Sequence, residues 1–236
     1  MEWRREHTGR KGIFGLAFLV FALLLGGCNG KAKEPKGMAL TPREKEKAEA
    51  MQAIDRNFEN ADAHYNLGKL YQEDGMWVKA EHEYSVSLGF EPANKDAQAA
   101  RVKVLMASGE MDKAGILSEE YMGRASISAA GSLMLALAFQ RQGLDDYALR
   151  CYQQALRLAP NSAKINRQIG YYYLSKNDLD RARDYLSRSF QLNPNQPEVA
   201  GELGRLGIEV KRPTKVRKNT EGLDKMVEKS DKELLE

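Results

Sequence analysis

Cysteine and histidine are scarce in this chain of 236 residues, and their scarcity removes whole classes of chemistry. The cysteines are Cys28 and Cys151, and the histidines are His7, His64 and His82. A structural zinc site needs four Cys or His ligands at short spacings, and no such set occurs in the sequence. Cys151 has no histidine near it in sequence, so a thiol nucleophile lacks its base. Charge of one sign is also missing. The chain has 36 basic and 33 acidic residues, a balance that excludes a dominant nucleic-acid footprint. The glycines recur as helix punctuation, so no phosphate-cradling loop is present. No cofactor is implied, and the sequence reads as that of a binding protein rather than an enzyme. The remaining alternative is an enzyme or metal site built on His64 or His82.

Long apolar runs are missing too, apart from residues 13–25. That run has 13 residues, and a spanning helix needs ~20. Arg4, Arg5, Arg10 and Lys11 precede it, and Leu25-Gly26-Gly27-Cys28 closes it. A basic start, a short apolar core and a small-residue ending make a secretory signal. This one resembles a bacterial lipoprotein signal with its lipobox. The resemblance implies cleavage after residue 27 and acylation of Cys28, with the rest of the chain held on a membrane and facing the periplasm. Asn29 follows the cysteine, where aspartate would retain an enterobacterial lipoprotein in the inner membrane, so the outer membrane is favoured. With Cys28 acylated, Cys151 has no partner for a disulfide and is expected to be a small core residue.

From residue 61 the chain repeats every 34 residues, with periods at 61–94, 95–128, 129–162 and 163–196 and a partial one from Pro197. Position 20 is Ala80, Ala114, Ala148 and Ala182. Position 15 is Gly75, Gly109, Gly143 and Asn177, residues that reach positive φ cheaply and end a helix. Position 8 is Gly68, Val102, Ala136 and Gly170, and position 32 is Pro92, Ser126, Pro160 and Pro194. Small residues let two helices approach, and proline stops the second helix. Each unit is thus a helix hairpin that buries its apolar face only by stacking on neighbours.

The pattern resembles tetratricopeptide repeats. Leu67, Gly68, Tyr71, Gly75, Ala80, Tyr84, Ser87 and Pro92 carry it in the first unit, and Leu135, Ala136, Phe139, Gly143, Ala148, Tyr152, Ala155 and Pro160 in the third. The fourth keeps Ile169, Gly170, Tyr173, Ala182, Ser189 and Pro194, with Leu186 in place of an aromatic. The second departs at Arg101, Ser118, Tyr121 and Ser126. The resemblance implies an all-α, right-handed superhelical solenoid of antiparallel helix pairs. Flanking capping helices are expected at 41–60 and 197–210, with a lipidated tether at 28–40 and a basic, amphipathic tail at 211–236. Thr41, Pro42 and Glu44 start the first cap, and Ala50, Ala53 and Ile54 are placed to cover the first repeat.

In this family the first helices line a concave groove that takes a peptide or helix of a partner protein. Carried over by position, the groove would be formed by Asp62, Tyr65, Lys69 and Gln72 in the first repeat and by Asp96, Lys103 and Met106 in the second. Leu133, Leu137, Gln140 and Arg141 follow in the third, and Lys164, Arg167, Tyr171 and Leu174 in the fourth. Leu133 and Leu137 either line the groove or pack between first helices, which helical spacing alone does not separate. The mixture of apolar anchors and cations suits a partner segment with acidic character. A lipobox, short tether and compact array also resemble the tetratricopeptide lipoproteins of type IV pilus biogenesis, which implies a role in assembling a secretin. An alternative of the same class is an adaptor for peptidoglycan hydrolases or a periplasmic protease.

Overall fold

A computed structural model of the protein describes residues 40–210. The expected signal, Cys28 and its tether, and the 211–236 tail lie outside the described residues. Ten helices, and no strand, occur among those described. The first is α1 (Pro42–Arg56), and the last is α10 (Pro197–Arg205). Between them stand four hairpins: α2 (Ala61–Glu73) with α3 (Trp77–Phe90), α4 (Lys95–Ala107) with α5 (Met111–Ala125), α6 (Ala129–Arg141) with α7 (Asp145–Leu158), and α8 (Ala163–Ser175) with α9 (Leu179–Leu192). The first helix of every hairpin has 13 residues and begins on the first position of a sequence period.

Local signals set these boundaries. Asn60, Asn94, Ser128 and Ser162 close successive periods, and each side chain accepts a hydrogen bond from the third backbone N–H of the helix it starts. At the other end the turns are alike. The amide of Met76 donates to the carbonyl of Tyr71 at 2.9 Å, and Glu110, Leu144 and Asp178 repeat that bond to Leu105, Phe139 and Tyr173 at 2.9–3.0 Å. This closure needs one residue in the left-handed region. Gly75, Gly109 and Gly143 supply it with φ of 71°, 89° and 70°, and Asn177 does so at 57°.

The two helices of a hairpin meet through a size match at positions 8 and 24. A Cβ on Gly68 would stand 2.8 Å from the Tyr84 ring, and one on Gly170 would stand 2.7 Å from Leu186 Cγ. The second repeat inverts the match, with Val102 on the first helix and Ser118 on the second, both fully buried. Its departure at Arg101 is compensated by charge. Arg101, where an apolar residue is usual, donates from Nε and from the guanidinium tip to Glu81 Oε1 at 2.9 and 2.8 Å. Ala80, Ala114, Ala148 and Ala182 have no exposed surface. Cys151 is buried.

The flanking helices depart from expectation. Helix α1 begins with the expected Thr41–Glu44 capping box, but none of its residues is buried, and Ala50, Ala53 and Ile54 are only half-covered. Charge holds it instead: Arg43 bonds Glu73 and, at 2.9 Å, Asp74, which also takes the Lys47 ammonium. The Lys47 hydrogen bond, with help from Arg43, holds the Asp74 carboxyl below the usual range. At the far end α10 stops at Arg205, one turn earlier than a complete first helix, because Gly207 takes φ of 77°. Val199 and Leu203 are buried on it and cover Leu186 and Phe190, with Leu206 at the edge.

The size match generates a prediction. Gly170→Val should destabilise the protein by about 1–3 kcal/mol through overpacking. Adding Leu186→Ser should recover much of that loss, because the pair then copies Val102 and Ser118. A thermal melt of the single and double variants checks both, and a double variant no more stable than Gly170→Val would contradict the match.

Candidate protein-binding groove

The residues expected in the groove fall into four groups. Tyr65, Gln72, Asp96, Gln140 and Arg141 are drawn together. Arg141 Nε donates to Asp96 Oδ1 at 3.0 Å, which ties α6 to α4. Gln72 Nε2 donates to Gln142 Oε1 at 2.9 Å, which ties the end of α2 to the end of α6 across α4. Burial, and then the nearby Asp96 carboxylate, push the Tyr65 phenol up. These polar groups are taken up by contacts within the protein.

The amides at position 12 have a second bond. Tyr84 donates its hydroxyl to Gln72 Oε1 at 2.7 Å, and Tyr152 donates to Gln140 Oε1 at 2.5 Å. Position 24 thus reaches through the hairpin to orient a groove residue at position 12. Burial is the main cause pushing both phenols up, Tyr84 and Tyr152 alike. In the fourth repeat the same two places hold Leu174 and Leu186, so the polar pair becomes an apolar one. Sequence reasoning overlooked this pairing, although the joint change of positions 12 and 24 signals it.

The second group joins the core. Leu133 is 1% exposed, which corrects its placement as a groove anchor. Position 5 lies between α4 and α6, which pack directly on one another, and Ala99 and Leu133 meet the same core there. Leu137 and Met106 are half-buried against that core, so each offers one flank to solvent. The third group keeps part of its surface exposed. Lys103 is half-buried and, among the described residues, has no ion-pair partner. Arg167 donates to Gln196 at 3.3 Å, and Lys164 and Leu174 are half-covered beside it. Tyr171 is half-buried, its phenol pushed up by burial with Arg167 opposing. The fourth group, Asp62 and Lys69, lines a cleft between α1 and α2 and stands apart from the rest.

The histidines take structural or surface places. His64 is buried, with Nδ1 2.7 Å from Glu83 Oε2 and Nε2 3.0 Å from the Phe58 carbonyl, and Phe58 and Phe90 flank its ring. His82 is exposed. Among the described residues no three His, Cys, Asp or Glu side chains converge as metal ligands. Burial pushes the Cys151 thiol up to about 12, far from the range of a nucleophile.

Models of the tetratricopeptide repeat match residues 131–162 and 163–196. The chain carries tetratricopeptide repeats. Among known proteins, it is 26% identical over 157 residues to the type IV pilus assembly protein PilF of Pseudomonas aeruginosa, covering 63% of this chain and 60% of that protein. It is 24% identical over 142 residues to the human protein O-mannosyl-transferase TMTC1, covering 58% of this chain and 16% of that protein. The chain therefore spans less than two thirds of either curated relative. Solved repeat proteins resemble it more loosely. YrrB, described as a TPR protein with an unusual peptide-binding site, is 18% identical with a TM-score of 0.37, over 69% of this chain and 84% of that one. TTC0263, a TPR protein of Thermus thermophilus, is 16% identical with a TM-score of 0.38, over 68% of this chain and 88% of that one.

The His64 contacts lead to a further expectation. His64→Ala should lower unfolding stability by about 1–3 kcal/mol, because Glu83 and the Phe58 carbonyl lose their partner. A calorimetric melt measures the loss, and elemental analysis should find equal zinc in both proteins. A lower zinc content in the variant would restore a metal role to this histidine.

Proposed function

We propose that the chain is a lipid-anchored, non-catalytic adaptor of the bacterial cell envelope. It docks a partner protein on the concave face of its repeats and assists assembly of type IV pilus machinery, with the secretin as the partner. The observation that carries this reading is the run of in-phase repeats behind a lipobox, in a chain similar to a type IV pilus assembly protein. Acyl chains on Cys28 would supply anchorage by burying methylenes at ~0.8 kcal/mol each, and Asn29 directs the anchor to the outer membrane.

Within the groove, binding concentrates on the expected residues that the polar ties leave out. The ties from Arg141 to Asp96 and from Gln72 to Gln142 engage polar residues of the first three repeats. Lys103, Leu137, Arg167 and Tyr171 leave a cationic and apolar track. An extended or helical segment with acidic side chains and one or two apolar anchors fits that track.

Two measurements test the proposal. Cys28→Ser should move the protein from the membrane fraction to the soluble fraction with its helical circular dichroism unchanged, and retention in the membrane would place the anchor elsewhere. Lys103→Glu combined with Tyr171→Ala should abolish co-purification of secretin or pilus components from solubilised membranes. Co-purification of wall hydrolases in their stead would overturn the pilus assignment and keep the adaptor.

A further inference from the structure

Helix α1 stands in the register of a second helix, and the sequence positions of its mate, 27–39, lie outside the described residues. In complete hairpins, positions 20 and 24 of the second helix face the first helix, and Ala80 and Tyr84 have no exposed surface there. The same places on α1 are Glu46, which is exposed, and Ala50, which is half-covered. The first helix of the next hairpin completes the comparison. Ala100 and Val104, at positions 6 and 10 of α4, pack on Ala80 and Tyr84 with Tyr65 of α2 beside them, and are fully buried. Their counterparts on α2 are Asn66, which is exposed, and Leu70, which is half-covered.

An open cleft of about 500 Å³ runs between α1 and α2 along these positions. Its floor is Ala50, Ala53, Ala63 and Leu70, and its rim carries Glu46, Glu49, Asp62 and Glu73 against the single cation Lys69. Glu73 is paired with Arg43 and Glu49 with Lys45. Glu46 and Asp62 have no ion-pair partner among the described residues. The sequence positions of a mate carry Gly30, Pro35 and Gly37, residue types that helix interiors disfavour.

We propose that this cleft receives a basic amphipathic helix of a partner protein, seated as the array seats its own first helices. The occupant spans about 13 residues, or roughly 20 Å. The alanine floor calls for larger apolar side chains than the array supplies, because Ala50 stands where Tyr84 and Tyr152 stand in complete hairpins. The acidic rim calls for Lys or Arg on the flanks of that stripe. The site shares no residue with the track of Lys103 and Tyr171, and it does not depend on the groove reading.

The test uses the full chain and two blocked peptides of about 15 residues, with leucines at helical spacing and either Lys or Glu elsewhere, read by fluorescence anisotropy. The Lys peptide should bind at least about tenfold more tightly than the Glu peptide. Glu46→Lys with Asp62→Lys should erase that preference, and Ala53→Trp should weaken the Lys peptide about tenfold by filling the floor. Lys103→Glu with Tyr171→Ala should change neither result, which separates this site from the groove. Equal binding of the two peptides, or indifference to Ala53→Trp, would overturn the proposal. So would tight, Ala53-dependent binding of a peptide copying residues 211–236 together with self-association of the full chain, since the occupant would then be a second copy.

Discussion

The close approach of two helices, allowed by a missing side chain, governs this protein. Where Gly68 lies under Tyr84 and Gly170 under Leu186, the helix axes come near enough for the left-handed turn to close and for the alanines at position 20 to vanish from the surface. Interiors pack at crystal-like density, so a large residue on one helix requires a small one opposite. The second repeat obeys the same rule with the sizes exchanged. Its apparent degeneracy is a change of side, not a loss of packing.

The same contact shapes the groove. A tyrosine at position 24 lies across the small residue at position 8 and arrives with its hydroxyl at position 12, where Gln72 or Gln140 accepts it. Core and concave face are thereby coupled in the first and third repeats. In the fourth, leucines at both places remove the polar coupling and leave an apolar wall beside Tyr171. Positions 12 and 24 are therefore a polar pair in the first and third repeats and an apolar pair in the fourth.

Much of this was legible in the residues because a hairpin is a local object. The 34-residue register, the capping residues and the left-handed turns each follow from a few neighbouring positions, and the helices begin where the periods begin. What escaped depends on contacts between repeats. Leu133 has groove spacing, yet the packing of α4 on α6 encloses it. The tie from Gln72 to Gln142 joins residues 70 apart and follows from curvature that no single repeat encodes. The early end of α10 was readable from Gly207, but the expected period drew the helix past it. The charged attachment of α1 was visible as Arg43, Lys47 and Asp74, without the geometry that brings them together.

The bridge between Gln72 and Gln142 has a mechanical consequence. Stacked hairpins behave as a spring, since each neighbour can tilt a little on the next. A bond that skips over the second hairpin links the first to the third and adds a restraint on their relative tilt. The joint between the third and fourth hairpins, where α7 meets α8, has no such bridge among the described hydrogen bonds. A load applied along the array would bend it there first, and a ligand gripping both sides of that joint would set its pitch.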